Sequence, residues 1–289
     1  MTVDPRTELS EFLRSRRARL SPDDVGLPQY GRTRRVPGLR REELAQLAGV
    51  SVAYYTRLEQ GNGRNVSAEV LDSIARALRL NDAERAHLRN LTSSKPGKKK
   101  TARTQVRPAL KHLIDGVGVP AYIGGRRSDI HAWNPMAAAL FGDWGELPPK
   151  ERNWARLIFL RPSYQDLFVN WQSKAEDVVG FLRMDAGCYP DDPELAALIG
   201  ELSVKSELFR QLWAKHDVKE KSFGTKVLKH PLVGEMTLSY ETLKMPSDPD
   251  LFLSTYHAEP GTASAEALQL LANWGTDATR AGTSVNTQA

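Results

Sequence analysis

Apolar residues in the first ninety positions recur at spacings of three and four and are interrupted by turn residues every ten to fifteen positions, the signature of short amphipathic helices. About five helices are predicted. The first runs from about Glu8 to Leu20, with Leu9, Phe12 and Leu13 on one side and Arg14, Arg16, Arg17 and Arg19 toward its end, where cations suit the helix dipole. Gly26 to Gly38, containing Pro28 and Pro37, reads as a long connection. Ser67 is the expected N-cap of a helix whose stripe is Val70, Leu71, Ile74, Ala75 and Leu78. Asn81 caps the next, with Glu84 three residues on as its capping-box partner and Leu88 and Leu91 on the buried face.

The pattern changes after residue 107. Val119–Ile123 and Asp129–Trp133 flank Gly124-Gly125 and read as a hairpin with its turn at the glycines. Asn134 caps a helix with Pro135 at its first position and Met136, Leu140 and Phe141 buried. Helical segments are expected from Trp154 to about Phe159, Tyr164 to Met184, Glu194 to Val204 and Glu207 to His216. Strands return at Phe223–Lys229, Glu235–Leu243 and Leu251–His257, and Ala265 to Trp274 closes with a helix. The fold class is therefore an all-α front domain followed by an α+β domain.

Charge sharpens this division. Residues 1–91 hold 16 Arg and no Lys against 12 acids, a balance of +4, and residues 92–107 hold 4 Lys and 2 Arg with no acid. The remainder is mildly acidic, although the whole chain stands at +5. Residues 92–107 have no apolar period and read as a basic linker; residues 276–289 are small and polar and read as a disordered tail. The domains are thus set at 1–91 and 108–275. A basic front joined to an acidic back points to a polyanion partner for one part only. The sequence has no signal-peptide pattern and no apolar run of membrane length, so a cytoplasmic protein is expected. The lone cysteine, Cys188, excludes an internal disulfide framework.

The most specific signal is the stretch from Leu39 to Gly61. Two helices that cross steeply through a short turn leave room only for a small residue at the crossing, and Ala45 stands there. Gly49 supplies the turn, and Leu44, Ala48, Val50, Tyr55 and Leu58 fall where apolar packing is needed. Ser51 caps the second helix. These residues make a helix-turn-helix.

Through Glu42-Glu43-Leu44-Ala45, Ala48-Gly49-Val50-Ser51 and Leu58-Glu59-Gln60-Gly61 the chain resembles the Cro/C1 or XRE family of phage-repressor-like regulators. Arg40 departs from that pattern, which often has Ser or Thr as N-cap there. The resemblance and the docking geometry of the motif imply a double-stranded DNA operator, with the helix from Ser51 to Gln60 in the major groove. Ser51, Val52, Ala53 and Tyr54 then approach base edges, and Arg57, one turn on, is the candidate base reader, with pairing to Glu59 as the alternative. Arg41, Gln60 and Arg64 are placed for phosphates. A homodimer on a two-fold operator is expected, because one recognition helix reads only a short half-site.

A second resemblance spans nearly the whole chain. Pro37-Gly-Leu-Arg-Arg-Glu-Glu43, Leu208-Phe-Arg-Gln-Leu-Trp-Ala-Lys-His216 and His230-Pro-Leu-Val-Gly234 look like the MmyB-like regulators, in which the second domain is PAS-like and takes a small, largely apolar or fatty-acid-like ligand. Phe159, Phe181, Phe209, Trp213 and Tyr240 are candidates to line such a pocket or to form the core. Arg183, His216, Lys226 and His230 are candidate polar partners.

An enzymatic reading finds little support. His87, His112, His131, His216, His230 and His257 show no metal-ligand spacing, Gly116 and Gly118 form only a fragment of a dinucleotide fingerprint, and Cys188 has no evident activating partner. No cofactor or metal is expected. Two alternatives stay open: a ligand-independent regulator whose second domain serves dimerisation or protein interaction, and an adaptor that has lost its DNA role.

Overall fold

The computed structural model describes residues 4–27, 38–63, 66–93 and 105–273. The expected 26–38 connection, the 92–107 linker and the 276–289 tail lie largely or wholly outside them. The chain divides into two compact units: Met1–Lys100 with Val179–Glu201 and Arg210–Glu220, and Thr101–Val178 with Leu202–Phe209 and Lys221–Ala289.

In the first unit, α1 (Pro5–Ala18) begins earlier than expected because Asp4 caps it, its carboxylate accepting from the Arg6 and Thr7 amides at 3.3 Å, with Pro5 at the first position. Helices α2 (Arg41–Ala48), α3 (Val52–Glu59), α4 (Ala68–Ala77) and α5 (Asp82–Thr92) follow. Ser67 accepts from the Val70 amide, and Asn81 and Glu84 close their capping box reciprocally at 2.9 and 3.0 Å. One core joins all five helices: Leu9, Phe12 and Leu13 meet Leu44, Tyr55, Leu58, Ile74 and Leu88. Each such side chain contributes roughly 1.5–3 kcal/mol by leaving water.

The second unit's first helix is α6 (Pro108–Gly116), directly after the expected linker and with no counterpart in the sequence reading; Pro108 presets its first turn, and Ile114 is buried with Leu110 packed beside it. Next come β1 (Ala121–Gly125), β2 (Ile130–Trp133), α7 (Pro135–Phe141), α8 (Trp154–Leu160), α9 (Pro162–Leu167) and α10 (Trp171–Cys188). Then α11 (Pro193–Lys205), α12 (Glu207–Trp213), β3 (Phe223–His230), β4 (Gly234–Lys244) and β5 (Leu251–His257) lead to α13 over 263–273. Part of each of α10, α11 and α12 belongs to the first unit. The strands form one antiparallel sheet in the order β2-β1-β5-β4-β3, with Ile123 facing Leu253 and Tyr240 facing Tyr256.

Three expectations are corrected. Gly124 and Gly125 lie inside β1 and the turn falls at Arg126–Ser128, because the glycines make room for rings: a β-carbon at Gly124 would stand 2.1 Å from Phe252 Cζ. The helix expected from Tyr164 to Met184 is broken in two, since Phe168 bridges Leu228 and the Val169 amide donates to the Val227 carbonyl at 3.1 Å. Met136 is only half-buried, and Ala137 takes the buried place beside Leu140 and Phe141.

Candidate nucleic-acid interface and ligand cavity

The turn between α2 and α3 is made by Gly49 in the left-handed region at φ 66, from which the Gly49 and Val50 amides donate back to the Gln46 and Ala45 carbonyls. Ala45 is fully buried. At the other end of α2, Arg40 supplies no capping oxygen, and only the reciprocal half of a capping box is made, the Glu43 carboxylate accepting the Arg40 amide at 2.7 Å. Ser51 Oγ accepts the Tyr54 amide at 3.1 Å and starts α3.

Helix α3 has two distinct faces. Ser51, Val52, Ala53, Tyr54, Arg57 and Gln60 are exposed, and Tyr55, Leu58 and Glu59 are buried. Val52 and Tyr54 are 41% and 38% exposed, so large apolar groups stand in solvent beside Arg57. The Arg57 guanidinium makes no ion pair or hydrogen bond among the described residues. The alternative partner, Glu59, is fully engaged inside the unit: Arg17 Nε lies 2.7 Å from it, Arg41 Nε donates to its other oxygen, and Tyr55 Oη donates at 3.3 Å. Burial pushes the Glu59 carboxyl upward, but the two guanidiniums outweigh it and hold the group below the ordinary carboxylate range. Arg17 also donates to the Leu39 carbonyl at 2.5 Å, tying α1 to the entrance of α2. Arg41 therefore has one nitrogen on Glu59 while 42% of its side chain stays exposed. Gln60 ends α3, and Arg64 lies outside the described residues.

The residues singled out for a ligand are divided between the units. In the second, Phe159 and Phe209 meet edge to face at 5.2 Å, Lys226 Nζ is 2.7 Å from the Asp177 carboxylate, and the Tyr240 ring lies 5.9 Å from that of Tyr256. Phe181, Arg183, Trp213 and His216 belong to the first. Arg183 is wholly buried there; it donates to the Glu8 carboxylate and the Trp213 carbonyl, and its guanidinium lies 4.0 Å over the Trp213 ring. Glu8, Glu11 and His216 bring potential metal-ligand atoms within 4.8 Å of one another, but Arg183 already supplies positive charge against Glu8.

Apart from His230, the residues named for the ligand do not line the cavity of about 1100 Å³ found in the second unit. Leu140, Phe141, Leu147, Tyr164, Leu167 and Leu232 form much of its wall, with Asp143, Glu146, Asp166 and Lys229 as charged groups. Of the sequence candidates only His230 is there. Its Nε2 lies 3.1 Å from the Ala139 carbonyl and its Nδ1 accepts the Leu232 amide at 3.3 Å, which fixes the neutral tautomer with hydrogen on Nε2. Burial lowers its pKa, opposed by the bond to Ala139, and keeps the ring uncharged. The rest of the wall escapes sequence reading because the ends of α7, α9 and β3 and the loops beside them, far apart in the chain, supply it together; the His230-Pro-Leu-Val-Gly234 motif is the one local signal.

No helix among the described residues is long and apolar enough to cross a membrane. No curated protein matches the chain. Residues 8–88 match a family model described as a helix-turn-helix domain. Residues 106–271, more than half of the 289, match the model described as the MmyB-like transcription regulator ligand binding domain. The two-faced α3 and the α+β unit with its cavity thus fall within these two matches, and the chain belongs to the MmyB-like transcription regulators, with a DNA-binding helix-turn-helix ahead of a ligand-binding domain.

Proposed function

We propose that this protein is a sequence-specific transcription regulator that reads duplex DNA with α3 and whose DNA affinity is set by a small, largely apolar molecule. The observation that carries the first part is the exposed face of α3, where Arg57 makes no ion pair among the described residues while Glu59 is buried and held by Arg17 and Arg41. Ser51, Val52, Ala53 and Tyr54 lie nearest the base edges, Arg57 pairs with guanine, and Arg41, Gln60 and Arg64 hold phosphates. The protein works in the cytoplasm as a homodimer, with half-sites about 34 Å apart or at a multiple of that spacing.

The sheet order β2-β1-β5-β4-β3, with helices between β2 and β3, supports a PAS-like reading of the second unit. In this account the ligand occupies the cavity walled by Leu140, Phe141 and Leu232. Phe159 and Phe209 pack the interior, Phe181, Trp213 and Tyr240 are half-buried and do not line that cavity, and Arg183 and Lys226 neutralise Glu8 and Asp177. The protein is a sensor and not a catalyst. The test is to extract purified protein, identify the bound small molecule by mass spectrometry, and measure affinity for a selected duplex with and without it. A shift of roughly 5–150-fold is expected; unchanged affinity at saturation contradicts the sensor reading.

A further inference from the structure

The helix-turn-helix match and the ligand-binding match meet inside one compact unit. Arg183, Trp213 and His216 lie in residues 106–271, Glu8, Arg16 and His87 in residues 8–88, and all six belong to the first unit. We propose that Glu8, clamped by Arg183 and His216, is the joint through which the MmyB-like domain controls the recognition helix. The inference rests on the regulator reading above and supplies its missing transmission step.

The clamp is built from buried charge. Glu8, in the first turn of α1, is 6% exposed at its side chain and receives Arg183 Nη1, with His216 Nδ1 at 3.7 Å and His87 Nε2 at 3.9 Å. Arg183 Nη1 is also 3.0 Å from His216 Nδ1. His216 holds a left-handed backbone at φ 55, costly for a residue with a side chain, and its carbonyl accepts from Arg16 Nη2 at 2.5 Å. Arg16 in turn is 2.8 Å from the Glu84 carboxylate. A guanidinium and a carboxylate this deeply buried are stable only while paired, so the clamp is either closed or broken, with little in between. Such all-or-none contacts are what a switch requires.

From Glu8 the route to DNA is short. Leu9, Phe12 and Leu13 of the same helix share a core with Tyr55 and Leu58 of α3, and Arg17 of α1 holds Glu59 at the end of α3. A movement of α10 at Arg183 therefore reaches the recognition helix through α1, without passing along the 92–107 linker.

The test uses the full-length protein and a duplex recovered from a random pool by the wild type. Glu8→Gln and Arg183→Gln should each change affinity by roughly 5–150-fold, and the double variant no more than either alone. Because linkage is reciprocal, the duplex must also act on the clamp in the wild type: amide exchange of segments 179–188 and 213–217 should change when it binds. Folded variants with affinity within about twofold of wild type, or exchange in those segments indifferent to DNA, overturn the joint. If the variants do not fold, the wild-type exchange result decides alone. A wild type that retains no duplex overturns the DNA-binding reading and the joint with it.

Discussion

The α2–α3 pair is assembled from the continuous stretch 39–61, whereas the cavity of the second unit draws its wall from residues 139–147, 163–167 and 229–234. The first is a local object. Its turn glycine, its cap and its two faces are encoded within a few residues of each other, and each can be inferred from spacing. The second exists only after β3, β4 and α9 have been brought together, so no local pattern announces it. The same contrast governs mutation: residues of the pair divide cleanly into buried ones that hold the fold and exposed ones that meet a partner, while the cavity wall mixes buried core residues such as Leu140 and Phe141 with exposed ones such as Leu232, 63% exposed.

The largest expected effect is at the buried face of the pair. Leu44→Ala should lower unfolding free energy by about 2–5 kcal/mol in urea denaturation, because a fully buried leucine leaves both a transfer loss and a cavity. A loss below about 0.5 kcal/mol, the range of surface changes, would erase the division between the faces of the helix pair.

Arg57→Ala probes the other face. It should relax base preference at one operator position by roughly 1–3 kcal/mol and leave stability within about 0.5 kcal/mol. Arg41→Ala should instead weaken all sequences about equally and reduce the salt slope by about 1. Equal relaxation of preference by both variants would remove the distinction between reading and anchoring.

Much of this was legible beforehand. Ser67, Asn81, Glu84, Gly49 and Ser51 stand where their local chemistry put them, and the strand positions in the back half were found to within a residue or two. What escaped was non-local. The break between α9 and α10 depends on Leu228 and Val227, and the displacement of the hairpin turn depends on Phe252. The sequence offers Arg183 and His216 as polar partners for a ligand, but the group facing them is the Glu8 carboxylate, 175 positions from Arg183.

His87 provides a pH-dependent test with a smaller effect. It is fully buried, and desolvation lowers its pKa against the pull of Glu8, with Arg183 and Arg16 reinforcing the decrease. The unfolded chain takes a proton near pH 6.5 that the folded protein refuses, so the fold is most stable above about 6.5 and loses stability as pH falls through that value. His131 and His230 in the second unit are lowered by burial too, so wild type and His87→Leu should both lose stability, the variant less steeply. Urea unfolding at a series of pH values between about 7.5 and 5.5 measures the two slopes, and identical slopes would remove His87 from the account.

The smallest structural effect belongs to the cavity rim. Leu232→Ser should leave unfolding within about 0.5 kcal/mol of wild type while reducing the amount of small molecule that co-purifies, measured by mass spectrometry. Unchanged retention would place the ligand elsewhere in the second unit.

The central claim, that α3 and its basic surroundings bind duplex DNA, is tested most directly by a salt titration of full-length protein on a selected duplex. Counterion release requires log affinity to fall linearly with log salt, by about 0.9 for every phosphate neutralised, so several phosphate contacts give a steep line between about 50 and 200 mM. That steep line is the predicted result; binding indifferent to salt over the same range would contradict it.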